Sequence, residues 1–301
     1  MTISGSIGEG WKFFKDSILF MFKKPLFLVP IFLSWIVFVI AVLYSRYYFP
    51  EIEGFWMTIL FVYILIVIVT FTITFANLVM LELMEQIERG QKTSLVKAFL
   101  STIFYNLIKV IPIALVWGVI WLFLLILKVI ISAVKKDKSA EPSVEDAAQT
   151  LSSMNSSFSF WKLGINLIEK LVRMSVFLSL PAIAWENKGP FSALKKSLEI
   201  IRRHPAQFLT TYALTLAAGL VMAIPLIPIS IMLELDITIP TAVWIGVIIY
   251  SGITWTLEIY LEQMSVGMLY LWHLKWLKNG GKGKLTSVKK PSLVDGVYEL
   301  K

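Results

Sequence analysis

The sequence predicts an all-α fold: a polytopic membrane helix bundle of about six spans with amphipathic interfacial helices. Three observations predict it. Of the 301 residues, 57% are hydrophobic and only 16% charged, with a mean hydropathy of +0.76; soluble chains sit nearer roughly 45–50% apolar with about a quarter charged. Uncharged runs of about the length that crosses a bilayer recur along the chain. Aromatic residues reach 14%, including 11 tryptophans, and Trp and Tyr collect at membrane–water interfaces. The absence of cysteine excludes disulfides, thiolate metal sites and cysteine nucleophiles. With two histidines, His204 and His273, no His-built metal or triad site is expected. The net charge of +8 comes from basic residues placed between apolar runs, which points to topology and anionic lipid rather than nucleic acid.

The first apolar run, Leu26 to Tyr44, starts too late and is too long for a signal peptide, so it reads as a retained span. The second, Phe55 to Leu81, carries no charge and is long enough to cross with tilt. The third, Val110 to Leu127, is bracketed by Lys109 and Lys128, whose stems can snorkel to the two interfaces. The fourth, Trp161 to Trp185, contains Lys162, Glu169, Lys170 and Arg173, and its charge-free part is about the length of a half-crossing. Glu169 and Arg173 stand one turn apart, a spacing that permits pairing. The fifth runs from Pro205 to Leu233, and a sixth begins near Ile237 and stays apolar beyond Leu257.

Three basic stretches precede three of these spans. Trp11, Phe14, Ile18 and Phe22 recur at helical spacing beside Lys12, Lys15, Lys23 and Lys24. Leu95, Phe99 and Ile103 do so beside Lys92 and Lys97, and Phe191, Leu194, Leu198 and Ile201 beside Lys195, Lys196, Arg202 and Arg203. Each is expected to lie in the interface or steeply inclined to it, with its lysines on lipid headgroups; the alternative is that each simply extends its span. Aligning Pro25 with Pro205 also aligns Lys15 with Lys195 and Ser17 with Ser197, which suggests three units of basic helix, outward span and returning span.

Counting lysine and arginine places both termini, the 82–109 connection and the 186–204 connection in the cytoplasm of an inner-membrane, multi-pass protein. Lys135, Lys136 and Lys138 dissent, and re-entrant third and fourth spans would account for them. The hydrophilic 135–160 loop reads as flexible, with at most one short helix from Ser143. The chain therefore reads as one membrane domain, 1–278, with a basic cytoplasmic tail, 279–301.

The residues of greatest chemical interest are charges at membrane depth: Glu169, Lys170, Arg173, Glu258 and Glu262. The 237–272 stretch is too long for one straight crossing, so it is expected to break near Ser251-Gly252 or to leave the membrane near Leu257. On the second alternative Glu258 and Glu262 are interfacial; on the first they are buried and paired with Lys170 and Arg173. Glu186, ahead of Gly189-Pro190, is expected to favour the start of the next helix. Pro225 and Pro228 are expected to kink or end the fifth span. His273 reads as an interface anchor. No Walker, zinc or Gly-x-Ser-x-Gly pattern is present, so no enzyme, metal or cofactor is expected.

Gly10-Trp11-Lys12, Ser17, Lys23-Lys24 and Leu28-Val29-Pro30, taken with Pro181, Glu186, Gly189-Pro190, Ala193, Lys195, Ser197 and Arg202-Arg203, resemble an uncharacterised prokaryotic family of six-span membrane proteins. That resemblance spans most of the chain and implies the fold rather than an activity. The basic helix leading into a span with Pro30 also distantly resembles CysZ-type sulfate permeases, which implies permeation. Those permeases enter the span through a Gly-aliphatic-Arg-Arg turn. Phe22-Lys23-Lys24-Pro25 lacks its glycine and the guanidinium forks, so sulfate is not implied. The leading expectation is non-enzymatic permeation of a small solute or ion, with the question of a homo-oligomer left open. The rival is a protein that organises lipid or partners through its basic helices on anionic lipid.

Overall fold

The computed structural model describes residues 3–48, 54–135, 160–235, 237, 239–283 and 285–288. Among these the chain is helical with no strand. The helices are α1 (Ile3–Lys23), α2 (Val29–Tyr48), α3 (Phe55–Glu88), α4 (Leu95–Ser101), α5 (Leu107–Lys135), α6 (Phe160–Ala184), α7 (Pro190–Arg203), α8 (Pro205–Ala223), α9 (Ile227–Glu234) and α10 (Thr241–Lys278). The expected helix at Ser143, most of the 135–160 loop and the end of the tail lie outside the described residues.

Each expected span coincides with a helix. Among the described residues four helices are long and apolar enough to cross a membrane: Trp56–Glu88, Leu95–Ile130, Pro205–Ile229 and Thr241–Lys278. A fifth is reached if the bent pair 14–23 and 25–41, turned by 105°, counts as one. The charges of α6 keep it out of this set, yet Met174, Phe177, Leu178, Leu180, Ala182 and Ile183 in its second half are fully buried. Other helices, rather than solvent, surround it.

The long helices pack in a connected set: α3, α6 and α10 meet one another, and α3 packs on α2, α6 on α5 and α10 on α8. Of the basic helices, α4 packs on α3, α7 on α6, and α1 on α8 as well as α10. The break before the aligned prolines is the same in two units. Lys24 before Pro25 has φ −138°, ψ 66°, and His204 before Pro205 has φ −130°, ψ 50°. Proline's ring disfavours helical backbone in the residue ahead of it, so the chain turns there.

The middle unit departs from this. It has no proline at that point, and α4 passes through a π-helical turn, Thr102–Asn106, straight into α5. The expectation of a separate in-plane helix is therefore wrong for this unit, where the basic helix extends the span. The burial pattern separates two faces on each basic helix. The faces turned inward carry Ser17 and Phe20, Ala98 and Thr102, and Ala193, Ser197 and Ile200, whereas Trp11, Phe22, Phe99, Phe191 and Leu198 are exposed. Small residues let helices approach closely, so the bulky apolar side chains are left on the outside.

The long sixth stretch does not break. α10 is one helix of 38 residues, about 57 Å at 1.5 Å per residue. Gly252 does not bend it; the glycine accommodates α2, because a Cβ there would lie 2.6 Å from the Trp35 ring. Pro225 does end a helix as expected. α8 stops at Ala223 and a 3-10 turn, Ile224–Leu226, follows. The first part of the tail folds back. Leu285 is buried and the Trp272 indole N–H donates to the Val288 carbonyl at 3.0 Å.

Candidate functional site

The intramembrane charges predicted from sequence are brought together between α6 and α10. Pairing positions along the two helices, 170 and 173 with 258 and 262, then 177 with 263, then 185 with 270, show that they run in the same direction. Lys170 and Arg173 thus stand on the face of α6 that meets Glu258 and Glu262, themselves one turn apart. Arg173 Nε donates to Glu262 Oε2 at 2.7 Å and its Nη2 to Glu262 Oε1 at 2.7 Å and Glu258 Oε1 at 2.9 Å. Lys170 Nζ donates to Glu258 Oε1 at 3.0 Å and also to Glu262 Oε1. Glu262 is fully buried and Lys170 nearly so, while the Glu258 side chain retains 29% exposure.

This corrects the interfacial alternative for Glu258 and Glu262. A helix that continues past Leu257 carries the two glutamates into the bundle, where an unpaired charge would cost several kcal/mol (on the order of 3–5). Two cations against two carboxylates leave the network neutral. Among the described residues Glu169 and Arg173, whose spacing permits pairing, form no ion pair with each other. Glu169 instead reaches across to Lys128 of α5, with Nζ and Oε2 2.5 Å apart. Lys109 and Lys128 are separated by about 28 Å along α5, close to the roughly 30 Å hydrocarbon thickness. The Lys128–Glu169 pair stands next to the four-charge network along α6.

Neighbours of the network were partly visible in the sequence. Gly219 of α8, one of its small residues, lies under Glu258: a Cβ there would sit 3.4 Å from a carboxylate oxygen. Tyr212 ties α8 to α6 through its hydroxyl, which donates to the Leu167 carbonyl at 2.9 Å. Nothing in the sequence singled out Tyr212.

At the basic end the chain's two histidines face each other, His204 Nε2 3.0 Å from His273 Nδ1. Trp276 packs on both rings and the Arg203 guanidinium lies 5.7 Å over its centroid. His273 is fully buried, not an anchor at the interface. Burial, and then the charge of Arg203, lower the His204 pKa to about 4. Glu186 does not cap α7; it accepts from the Tyr270 hydroxyl and pairs with Lys188 at 2.6 Å. Glu85 pairs with Arg89 at 2.5 Å, and Glu82 accepts from Ser101 Oγ at 2.9 Å and Asn106 Nδ2 at 3.1 Å, across the π turn.

Of the basic residues predicted to meet lipid, Lys15, Lys23, Lys24, Lys195, Arg202 and Arg203 are exposed. Lys196 is half-buried, 3.5 Å from Glu199. The Lys12 side chain lies outside the described set. Among the described residues no group of three or more His, Asp or Glu is arranged to hold a metal ion.

Comparison with known proteins adds no relative: no family model, curated protein or solved structure matches the chain.

Proposed function

We propose that this chain is a six-span inner-membrane protein, with both termini cytoplasmic, that permits passage of a small solute or ion. The observation that carries the reading is the network of Lys170, Arg173, Glu258 and Glu262 inside the bundle. Ionisable residues held within membrane helices mark ion and substrate pathways. Glu258 is partly exposed beside Gly219 and offers a passing charge a carboxylate already shared by two cations. A solute that competes for Glu258 or for Arg173 loosens the contact between α6 and α10, so the network acts as the constriction. The distant resemblance to permeases agrees with this role, without sulfate as the substrate.

The test is flux of small cations and anions into proteoliposomes, comparing the wild-type chain with Glu258→Gln and Arg173→Ala. Flux above empty vesicles that changes in rate or selectivity in the variants supports the reading. No flux above empty vesicles for any ion or small solute rejects it.

The exposed basic residues of α1 and α7 favour a second role alongside it. Lys15, Lys23, Lys24, Lys195 and Arg202 flank exposed Trp11, Phe22 and Phe191, a pairing of charge and aromatic surface that suits anionic headgroups. Enrichment of anionic lipid around the purified protein should fall with salt and with Lys195→Ala and Lys196→Ala; enrichment indifferent to both removes this role.

A further inference from the structure

Asn77 of α3 is fully buried, and neither its Oδ1 nor its Nδ2 has a hydrogen-bond partner among the described residues. Gln263 of α10 is fully buried as well. Its Nε2 donates to the Phe177 carbonyl of α6 at 3.3 Å, while its Oε1 has no partner among the described residues. The helix register brings these two carboxamides to one level. A Cβ on Gly267 would lie 3.6 Å from the side chains of both Leu81 and Met84, which fixes the α3 face that meets α10. One turn back along α10 from Gly267 is Gln263; one turn back along α3 from Leu81 is Asn77. Trp185 of α6 donates to the Leu81 carbonyl at 3.2 Å and packs on Tyr270 of α10, so the three helices share this level; α5 runs antiparallel to both α3 and α6, so α3 and α6 run the same way.

Other polar groups nearby are largely satisfied: Thr70 and Thr74 of α3 bond to helix carbonyls, and Ser179 of α6 to the Val176 carbonyl, while the buried Ser265 hydroxyl, two residues beyond Gln263, has no partner among the described residues. The carboxamides of Asn77 and Gln263 contribute two unpaired oxygens and one unpaired amide N–H pair, all neutral, at the junction of three helices. An unsatisfied buried group of this kind costs about 1–3 kcal/mol, and hydrocarbon offers no substitute partner. The complement is a small molecule that both donates and accepts. A bare cation would meet the oxygens and repel the amide N–H; an anion would do the reverse.

We propose that Asn77 and Gln263 form a polar site at the α3–α6–α10 junction that binds water. Water of this kind makes two to four hydrogen bonds to buried polar groups. It donates to Asn77 Oδ1 and Gln263 Oε1 and accepts from Asn77 Nδ2. Gln263 follows Glu262 directly, so the site adjoins the inner side of the charge network. Its role as the continuation of a hydrated route rests on the permeation reading; its existence does not.

Radiolytic hydroxyl labelling in ¹⁸O-water tests the site in the intact wild-type protein. Met80 stands one turn from Asn77 and is fully buried; Met264 and Met268, equally buried, line the α1 side of α10 with Ser17 and Phe20 and serve as controls. The site predicts oxidation of Met80 several-fold faster than of the two controls, falling to their rate in Asn77→Leu. Equal rates in the wild type mean a dry junction and overturn the proposal, whether or not the variant folds. A fast Met80 unchanged by Asn77→Leu overturns the assignment to Asn77. Labelling is independent of flux: a wet junction in vesicles that carry nothing sinks permeation and leaves the site, and a dry junction with flux does the converse.

Discussion

Arg173 holds Glu262 side-on, Nε to one carboxylate oxygen and Nη2 to the other, both at 2.7 Å. The planar guanidinium matches the carboxylate in two bonds at once, which lysine does not do. With Glu262 fully buried, the pair joins α6 to α10 where the carboxylate has no water to fall back on. Arg173→Ala should therefore destabilise the protein by about 3–5 kcal/mol, because a buried carboxylate loses its main partner. Arg173→Met combined with Glu262→Met leaves Lys170 and Glu258 as a balanced pair and should cost less than either single change. Thermal unfolding of the four proteins in detergent checks this; a double variant as unstable as the sum of the singles contradicts it.

Gly252 sets how closely α2 and α10 approach. Its missing Cβ would lie 2.6 Å from two atoms of the Trp35 indole, a contact that a packed interior relieves only by shifting the ring. Gly252→Ala should cost about 1–3 kcal/mol, and Trp35→Leu in the same chain should recover much of the loss. A Gly252→Ala protein with an unchanged melting temperature removes this contact from the account.

The His204–His273 pair predicts a pH dependence with a defined sign. His204 has a pKa of about 4 in the fold, against about 6.5 in the unfolded chain. The unfolded state thus binds more protons between those values, and stability rises with pH across them. The contribution is complete above about pH 6.5 and is lost progressively as pH falls toward 4. Melting temperature followed from pH 8 to pH 4 should decline over that window. The decline should be shallower in His204→Phe; an identical slope in the variant assigns the effect elsewhere.

How far the sequence carried the structure differs from element to element. Uncharged runs located α2, α3, α5, α8 and α10 because hydrophobicity is summed along the chain and needs no partner. Lys170, Arg173, Glu258 and Glu262 were found as a set for the related reason that charges stand out in an apolar run. Their geometry was not legible: whether Glu262 is buried depends on α10 staying helical past Leu257, and that depends on Trp35 and Gly252 fitting together across more than 200 positions of sequence. The histidine pair was hidden in the same way. His204 ends the basic 186–204 connection and His273 reads as an anchor, and only the packing of α8, which begins just after His204, against α10 joins them. Spacing placed apolar stripes on the basic helices, and the face buried against other helices carries the small residues Ser17, Ala98, Ala193 and Ser197, which spacing did not single out. Periodicity reports a change in polarity around a helix, whereas close packing selects for size.

Crossing number is the claim on which the rest depends, and the chain's lack of cysteine allows it to be measured directly. Single cysteines at Ser4, Ala140 and Ser292 can be labelled in intact cells with a membrane-impermeant maleimide, then again after permeabilisation. Six crossings predict that Ala140→Cys labels from outside the intact cell while Ser4→Cys and Ser292→Cys label only once the membrane is opened. Labelling of all three positions from the same side contradicts six crossings and leaves α5 and α6 as a re-entrant pair.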